Sequence, residues 1–363
     1  MSYARESTYL AWAKLCSRAK YNLATSGIMS YPLRELAVSW DALEINGPNA
    51  YGYVPLLERL ARKCDVGPDC IVAAAGTSMA NHLAMAALLE PGDDVLIERP
   101  GYGPILEVAS YLRANILRFE RRAEEDFRID PDEIARSITP KTRLICITNL
   151  HNPSGALVSE ETLTRIGEIA QRAGAQVLVD EVYLDMVYDQ PQRSSFHLGG
   201  NFVVTTSLTK AYGLSGLRCG WIVAQPELAK RMWRLNDLFA ATPVHPGELL
   251  SVAALDQLAQ IDARARALLA TNREALDAFF ARRNDLDGFR GRWGTVAFPR
   301  LKNGRVDEFC QFLRDRYETS VVPGRFFEMP DHFRIGIGGD PAMTAEALTR
   351  LGAALDAWGA HGA

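Results

Sequence analysis

The patterning of this chain predicts an α/β fold, with a large domain around a mostly parallel central sheet and a smaller α/β domain beside it. Three observations carry that expectation. Short apolar runs alternate with amphipathic segments through the middle of the 363 residues. From about 226 to 284 the pattern turns almost wholly helical, and after about 288 shorter strand-like pieces return around "GTVAF" and "HFRIGIG". The shift in pattern sets the expected boundaries: residues 40–255 form the large domain, and 256–363 with 1–39 form the small one.

Each element has its own justification. "DVLIE" (94–98), "RLICITN" (143–149), "AQVLVDEVY" (175–183), "FVVTTS" (202–207) and "CGWIVA" (219–224) are apolar runs of strand length, and nearly continuous hydrophobicity suits strands covered on both faces. The clearest helix spans about 160–172. Ser159 can cap it and Glu160 and Glu161 suit its positive end. Leu163, Ile166, Ile169 and Ala170 share one face, and Gly174 ends it. The first forty or so residues are irregular and rich in aromatics, and their pattern leaves open whether they join the small domain or cover the site.

Composition narrows the function. Forty basic and 44 acidic residues leave a formal charge of −4, with both signs interspersed, so no basic stripe points to nucleic acid or an anionic membrane. Small molecules are the expected ligands. No apolar run approaches the roughly 20 residues that span a bilayer, and "MSYARESTYLAWAKL" lacks the form of a signal peptide, so a cytoplasmic location is expected. Cys16, Cys64, Cys70, Cys146, Cys219 and Cys310 show no CxxC or metal spacing and read as buried thiols.

Ligands of open parallel sheets bind beyond the carboxyl ends of strands, which singles out the polar residues placed there. "AAAGTSMANHLAMAALLE" sets Gly76, Thr77 and Ser78 at the start of a strong helix, where free N–H groups and the helix dipole suit a phosphate; a plain helix cap is the alternative. "TNLHNPSG" offers Asn152 on a turn set by Pro153 and Gly155, with a merely turn-forming asparagine as the alternative. In "LVDEVY", Asp180 ends an apolar run, and a buried carboxylate needs a cation or a donor; Tyr183 can donate to a phenolate, and Glu181 is expected to be exposed. "RPGYGP" holds Tyr102, whose ring can stack on a planar ligand or be an ordinary loop aromatic. "SLTKAYGLSGLR" places Lys210 among small uncharged residues, a setting in which a desolvated amine loses its proton and can attack a carbonyl; an ordinary loop lysine is the alternative. His82 and His151 have no second ligand nearby and read as structural, while His332 is a weaker candidate for the pocket wall.

Taken in order, GTS, PGYGP, HNPSG, DEVY and SLTKAYGLSGLRCGW resemble the pyridoxal-phosphate-dependent aminotransferases of fold type I, class I/II, over about residues 45–340. The resemblance implies an enzyme that moves an amino group from an amino acid to a 2-oxo acid on pyridoxal 5'-phosphate. It further implies a Schiff base at Lys210, with Gly76, Thr77, Ser78, Ser207 and Arg218 at the cofactor phosphate. Tyr102 would face the ring, Asn152 and Tyr183 would hold the phenolic oxygen, and Asp180 the pyridine nitrogen. Arg334 of "DHFRIGIGG", together with Asn152, would take the substrate carboxylate. Phe333, Ile335 and Ile337 alternate with Arg334, which puts the arginine on the face of Gly336 and Gly338, where ligand room is expected. By the same resemblance the protein is a homodimer with active sites at the interface; strict spacing in "NGPNAYGYVPLLERLA" puts no tyrosine where the family has the one that reaches the partner's phosphate, and with a short gap Tyr51 takes that role, Tyr53 being the alternative. Beta-elimination, decarboxylation or ring formation on the same cofactor is the alternative. A cofactor-sensing DNA-binding regulator is disfavoured because no basic recognition helix is seen.

Overall fold

The computed structural model describes residues 5–361. A seven-stranded sheet occupies the middle of the chain. Across it the strands run Ile71–Ala75, Cys219–Val223, Phe202–Ser207, Gln176–Asp180, Thr142–Thr148, Asp94–Arg99 and Asn115–Glu120. All neighbours are parallel except at Cys219–Val223, which is antiparallel to both strands beside it. Burial on both faces explains the Val- and Ile-rich runs. Ile222, Leu178 and Cys146 pack with helices Gly76–Leu88 and Pro226–Asn236 on one side, and Val177, Val179 and Ile145 pack with helix Glu160–Arg172 on the other. That last helix is capped as its sequence requires, Ser159 Oγ accepting from Thr162 N at 3.1 Å.

Two strands carry weaker signals. Ile71–Ala75 is largely alanine and runs directly into helix Gly76–Leu88, and Asn115–Glu120 is an edge strand with exposed polar positions. The run expected to extend to Tyr183 stops at Asp180, because the chain turns there into a short 3-10 segment, Leu184–Met186. Glu181 is buried rather than exposed. Its carboxylate accepts from Ser195 N at 2.7 Å and Ser195 Oγ at 2.6 Å, and burial pushes it up to about 7. The thiols are likewise mixed: Cys70, Cys146 and Cys219 are buried, whereas Cys16 is exposed at the end of helix Thr8–Leu15.

The C-terminal part contains a three-stranded antiparallel sheet, Val296–Ala297, Phe333–Gly336 and Val322–Pro323, packed with helices Leu258–Ala281, Val306–Tyr317 and Pro341–His361. The N-terminal segment does both things its sequence left open. Tyr21–Asn22 pairs in parallel with Thr319–Ser320, and the residues that follow cross to the central sheet. Gly336 N donates to Leu23 O at 2.6 Å and Met29 N to Gly338 O at 2.7 Å on one side, while Ile28 N donates to Lys210 O at 2.8 Å on the other. The glycines at 336 and 338 therefore make room for backbone, not ligand. A Cβ on Gly336 would stand 1.9 Å from Thr25 O, and one on Gly338 2.1 Å from Gly27 O.

Gly336→Ala should accordingly destabilise the protein by about 1–3 kcal/mol or more, since backbone on both sides of the clash must shift. Urea or thermal unfolding checks this, and a wild-type midpoint would contradict the close approach.

Candidate active site

A cavity of about 410 Å³ opens beyond the carboxyl ends of the parallel strands, between the sheet and residues 24–30 of the N-terminal segment. The register sets its floor. Asp180 is the last residue of its strand and lies beside Thr148 on one neighbour and Thr205 on the other. Its oxygens accept from Asn81 Nδ2 at 2.8 Å and Val182 N at 3.1 Å. Asn81 is itself oriented by Thr205, whose hydroxyl donates to Asn81 Oδ1 at 2.5 Å, so the amide can present only its donor face to Asp180. Burial still dominates and pushes the Asp180 carboxyl up to about 6.

Lys210 follows the neighbouring strand. Its Nζ donates to Ser26 Oγ at 3.1 Å, and desolvation lowers its pKa below the ordinary lysine value. The amine is desolvated as its sequence suggested, but its setting is not uncharged, because Asp180, Arg334 and Arg218, all remote in sequence except Arg218, lie near enough to act on it. Tyr183 and Tyr102 line the same cavity, and burial raises both phenols above the ordinary tyrosine value, Tyr102 well above it.

At one end the helix Gly76–Leu88 points its N-terminus into the cavity. Thr77 Oγ1 donates to Ser207 Oγ at 2.8 Å, and Ser207 Oγ lies 2.6 Å from Thr209 Oγ1. Arg218, with φ of 53°, is exposed there and donates to Ser215 O and Ala75 O at 3.0 Å each. Gly76 has φ of 79°, a conformation that favours glycine, and a Cβ there would also displace the Arg218 guanidinium, which it would meet at 2.3 Å. Free helix N–H groups, hydroxyls and a guanidinium converge on one spot, which suits an anion with several oxygens.

Asn152 lies at the other end. Its N–H donates to Thr148 Oγ1 at 3.0 Å, and Thr148 Oγ1 donates to Glu98 Oε1 at 2.6 Å. Glu98 is fully buried and paired with Arg121 Nη1 at 2.7 Å, so a buried ion pair supports the turn that carries Asn152. Arg334 donates to Asn152 Oδ1 at 2.9 Å, Tyr9 Oη at 2.9 Å and Ala24 O at 3.1 Å. It is wholly buried and stands one layer behind the cavity wall.

Of the residues singled out from sequence, Thr77, Ser78, Tyr102, Asn152, Asp180, Tyr183, Lys210 and Arg218 line one cavity, and Gly76, Ser207 and Arg334 contact residues that do. Tyr51 does not. It is partly exposed on a separate surface cleft, where its hydroxyl bonds to Asp237 and Arg234. His151 is structural as expected, held between Ser154 and the Pro100 carbonyl. His82 packs beside Tyr111 and Phe239, and His332 stacks on Phe298 away from the cavity wall. The sequence reading missed Tyr9, Ser26, Asn81 and Thr148. A signal existed for Asn81, which sits four residues after Thr77 and hence on the same helix face.

In the ligand-free protein, Asn81→Ala removes one of two donors to Asp180, so the carboxyl should titrate above about 6, as read by ¹³C NMR of labelled aspartate. Because the folded-state value is raised, the stability linked to this group is full below the ordinary carboxylate range. It is lost as pH rises through about 6. An unchanged titration in the variant would rule out the positioning role of Asn81.

Comparison with known proteins gives this geometry a family. The model described as aminotransferase class I and II matches residues 45–351. Capreomycidine synthase of Streptomyces vinaceus is 30% identical over 332 residues, covering 88% of this chain and 85% of that protein. An aspartate aminotransferase of Rhizobium meliloti is 28% identical over 307 residues, 79% of this chain and 75% of its own. Among solved structures, a PLP-dependent aminotransferase from Streptococcus suis superposes with a TM-score of 0.92 at 24% identity, over 98% of this chain and 99% of that one, which shows the shared fold. The chain belongs to the class I and II aminotransferases and is a pyridoxal-phosphate-dependent enzyme of fold type I.

Proposed function

We propose that the cavity transfers an amino group between an amino acid and a 2-oxo acid, and that the sequence-derived residues hold the roles expected of them. The observation that carries the reading is the pairing of a buried carboxylate, Asp180, with a desolvated amine, Lys210, in one cavity that ends in an anion seat. These residues fit pyridoxal 5'-phosphate. The seat of Gly76, Thr77, Ser78, Ser207 and Arg218 matches a phosphate, and Asp180 supplies the counter-charge that a protonated ring nitrogen needs. Asn152 and Tyr183 are the donors for a phenolic oxygen, and Tyr102 offers the ring face.

When bound, the cofactor supplies an aldehyde for the amine and an electron-accepting ring. The protein does the rest. Lys210 holds the cofactor and, once released by substrate, its Nζ takes the proton from the substrate α carbon. Burial favours that step by keeping the amine ready to lose its own proton. Arg334 anchors the α-carboxylate that amino acid and oxo acid share; its Nε is buried and has no partner among the described residues. One anchor serves both half-reactions.

The chain organisation belongs to the same proposal: a cofactor domain over 40–255, and a small domain of 256–363 with 1–39. A homodimer is proposed as well. Tyr51 is exposed with Ile45, Val54 and Val244 around one cleft, an apolar surface suited to a second copy whose phosphate Tyr51 would reach. No described helix is long and apolar enough to cross a membrane, and a cytoplasmic setting is proposed with the soluble substrates. A second reading, another reaction on the same cofactor, rests on the relative named as a synthase at 30% identity. Product analysis with a panel of amino donors and one oxo-acid acceptor separates the two: appearance of the matching oxo acid and new amino acid supports transfer, and their absence with a lyase, decarboxylated or cyclic product favours the second.

Lys210→Ala should abolish covalent attachment. After borohydride reduction and digestion, the wild-type protein should carry the cofactor on the Lys210 peptide, and attachment to any other lysine would sink the assignment. Arg334→Ala should lose about 2–5 kcal/mol in the kinetics of donor and acceptor alike, and Arg334→Lys should recover only part of it. Wild-type efficiency in both half-reactions would move the carboxylate anchor elsewhere.

A further inference from the structure

The substrate end of the cavity is walled by residues 9–30, which lie outside the 45–351 span of the family match. Within that wall Tyr9 stands between Arg334 and the cavity. Its hydroxyl oxygen accepts from Arg334 Nη2 at 2.9 Å, and among the described residues its own proton has no acceptor. The ring is locked from several sides, edge-on to Tyr102 at 5.9 Å and to Phe326 at 5.8 Å, and tilted against Phe327 at 5.7 Å. The helix that carries it is tied down next door, where Thr8 N donates to Glu107 Oε1 at 3.1 Å.

We infer that Tyr9 is a substrate-contacting residue, which donates its hydroxyl proton to the α-carboxylate for which Arg334 supplies the charge. The geometry leaves the hydroxyl little else to do. An arginine donor on the oxygen lone pair forces the O–H to point elsewhere, and polarises it into a stronger donor. The remaining direction is the cavity that Tyr9 lines. A wholly buried guanidinium also gains from a partner that carries its effect to the surface, and among the described residues Tyr9 and Asn152 are the side chains that both hydrogen-bond to it and line the cavity. Specificity for a carboxylate-bearing substrate then depends on a residue of the N-terminal helix. The inference rests on Arg334 as the carboxylate anchor.

The test uses the holoenzyme and two probes read by calorimetry. 2-Methylalanine carries the α-amine and α-carboxylate but no α proton to lose, and 2-aminopropane is the same molecule without the carboxylate. Tyr9→Phe keeps the ring and its packing. It should weaken 2-methylalanine on the order of tenfold, as expected for one hydrogen bond to a charged group, and leave 2-aminopropane unchanged. Unchanged or tighter binding of 2-methylalanine overturns the inference, because the hydroxyl would then be a spacer or an obstacle over Arg334. Equal weakening of both probes also overturns it, by showing a structural role. Glu107→Ala loosens the helix without touching Arg334, and should it reproduce the Tyr9→Phe pattern, the seat of the helix rather than the hydroxyl is responsible. Arg334→Ala separates the two levels. If it binds 2-methylalanine as the wild type does, the anchor reading itself fails, whereas a loss there with no effect of Tyr9→Phe condemns Tyr9 alone.

Discussion

A carboxylate buried at the end of a strand, with two neutral donors and no ion-pair partner among the described residues, is the constraint around which this site is organised. Asp180 could relieve its desolvation by taking up a proton, and burial pushes it in that direction. Asn81 and the Val182 N–H pull the other way. The outcome is a carboxyl still held up at about 6, above the ordinary aspartate value, so that a cation placed beside it gains more than it would beside an exposed aspartate. The sheet makes this arrangement possible. Parallel neighbours on both sides bring Thr148 and Thr205 level with Asp180 and satisfy the local backbone, which leaves the carboxylate free to face the cavity.

The second structural demand is that the cavity be closed at its far end, and the chain meets it with a segment that belongs to neither sheet. Residues 23–31 are bonded to Gly338 and Ser320 on one side and to Lys210 and Gly213 on the other. The lysine loop and the C-terminal sheet are therefore held in register by the same short stretch of backbone. Glycines at 213, 336 and 338 are what allow so close an approach, since a Cβ at any of them would fall within 2.3 Å of a carbonyl oxygen in that stretch. A shift of this segment would move the Lys210 surroundings and the Arg334 surroundings together.

Much of this was legible in the sequence, for a physical reason. Strands buried on both faces must be apolar throughout, so the Val- and Ile-rich runs stood out, and ligand groups of a parallel sheet must lie just past them. Asp180, Asn152, Lys210 and the Gly76 turn were found on that logic. The alanine-rich strand at 71–75 and the edge strand at 115–120 escaped because neither carries a strong apolar signature. Glu181 was misread because a backbone N–H and a hydroxyl can offset part of the cost of burying a carboxyl group, and Ser195, 14 residues on, gives no local hint of doing so. Tyr9 and Ser26 meet their partners across 325 and 184 residues of chain, a distance over which pattern carries no information.

The distribution of charge in the cavity follows from these placements. Arg218 and the helix N-terminus form a positive end, Arg334 stands behind the opposite end, and Lys210 and Asp180 lie between them. A ligand that is anionic at both extremities and cationic at its centre is complementary to that order, and one reversed in either respect would bury unpaired charge. In the proposed reading the two extremities are different molecules, a phosphate held by residues inside the family-matched span and a carboxylate held partly by residues before it. The cofactor end is then built from elements the family match covers. The substrate end combines Asn152 and Arg334 with a wall contributed by the N-terminal segment, so parts of the chain far apart in sequence must be placed together before that end of the cavity exists.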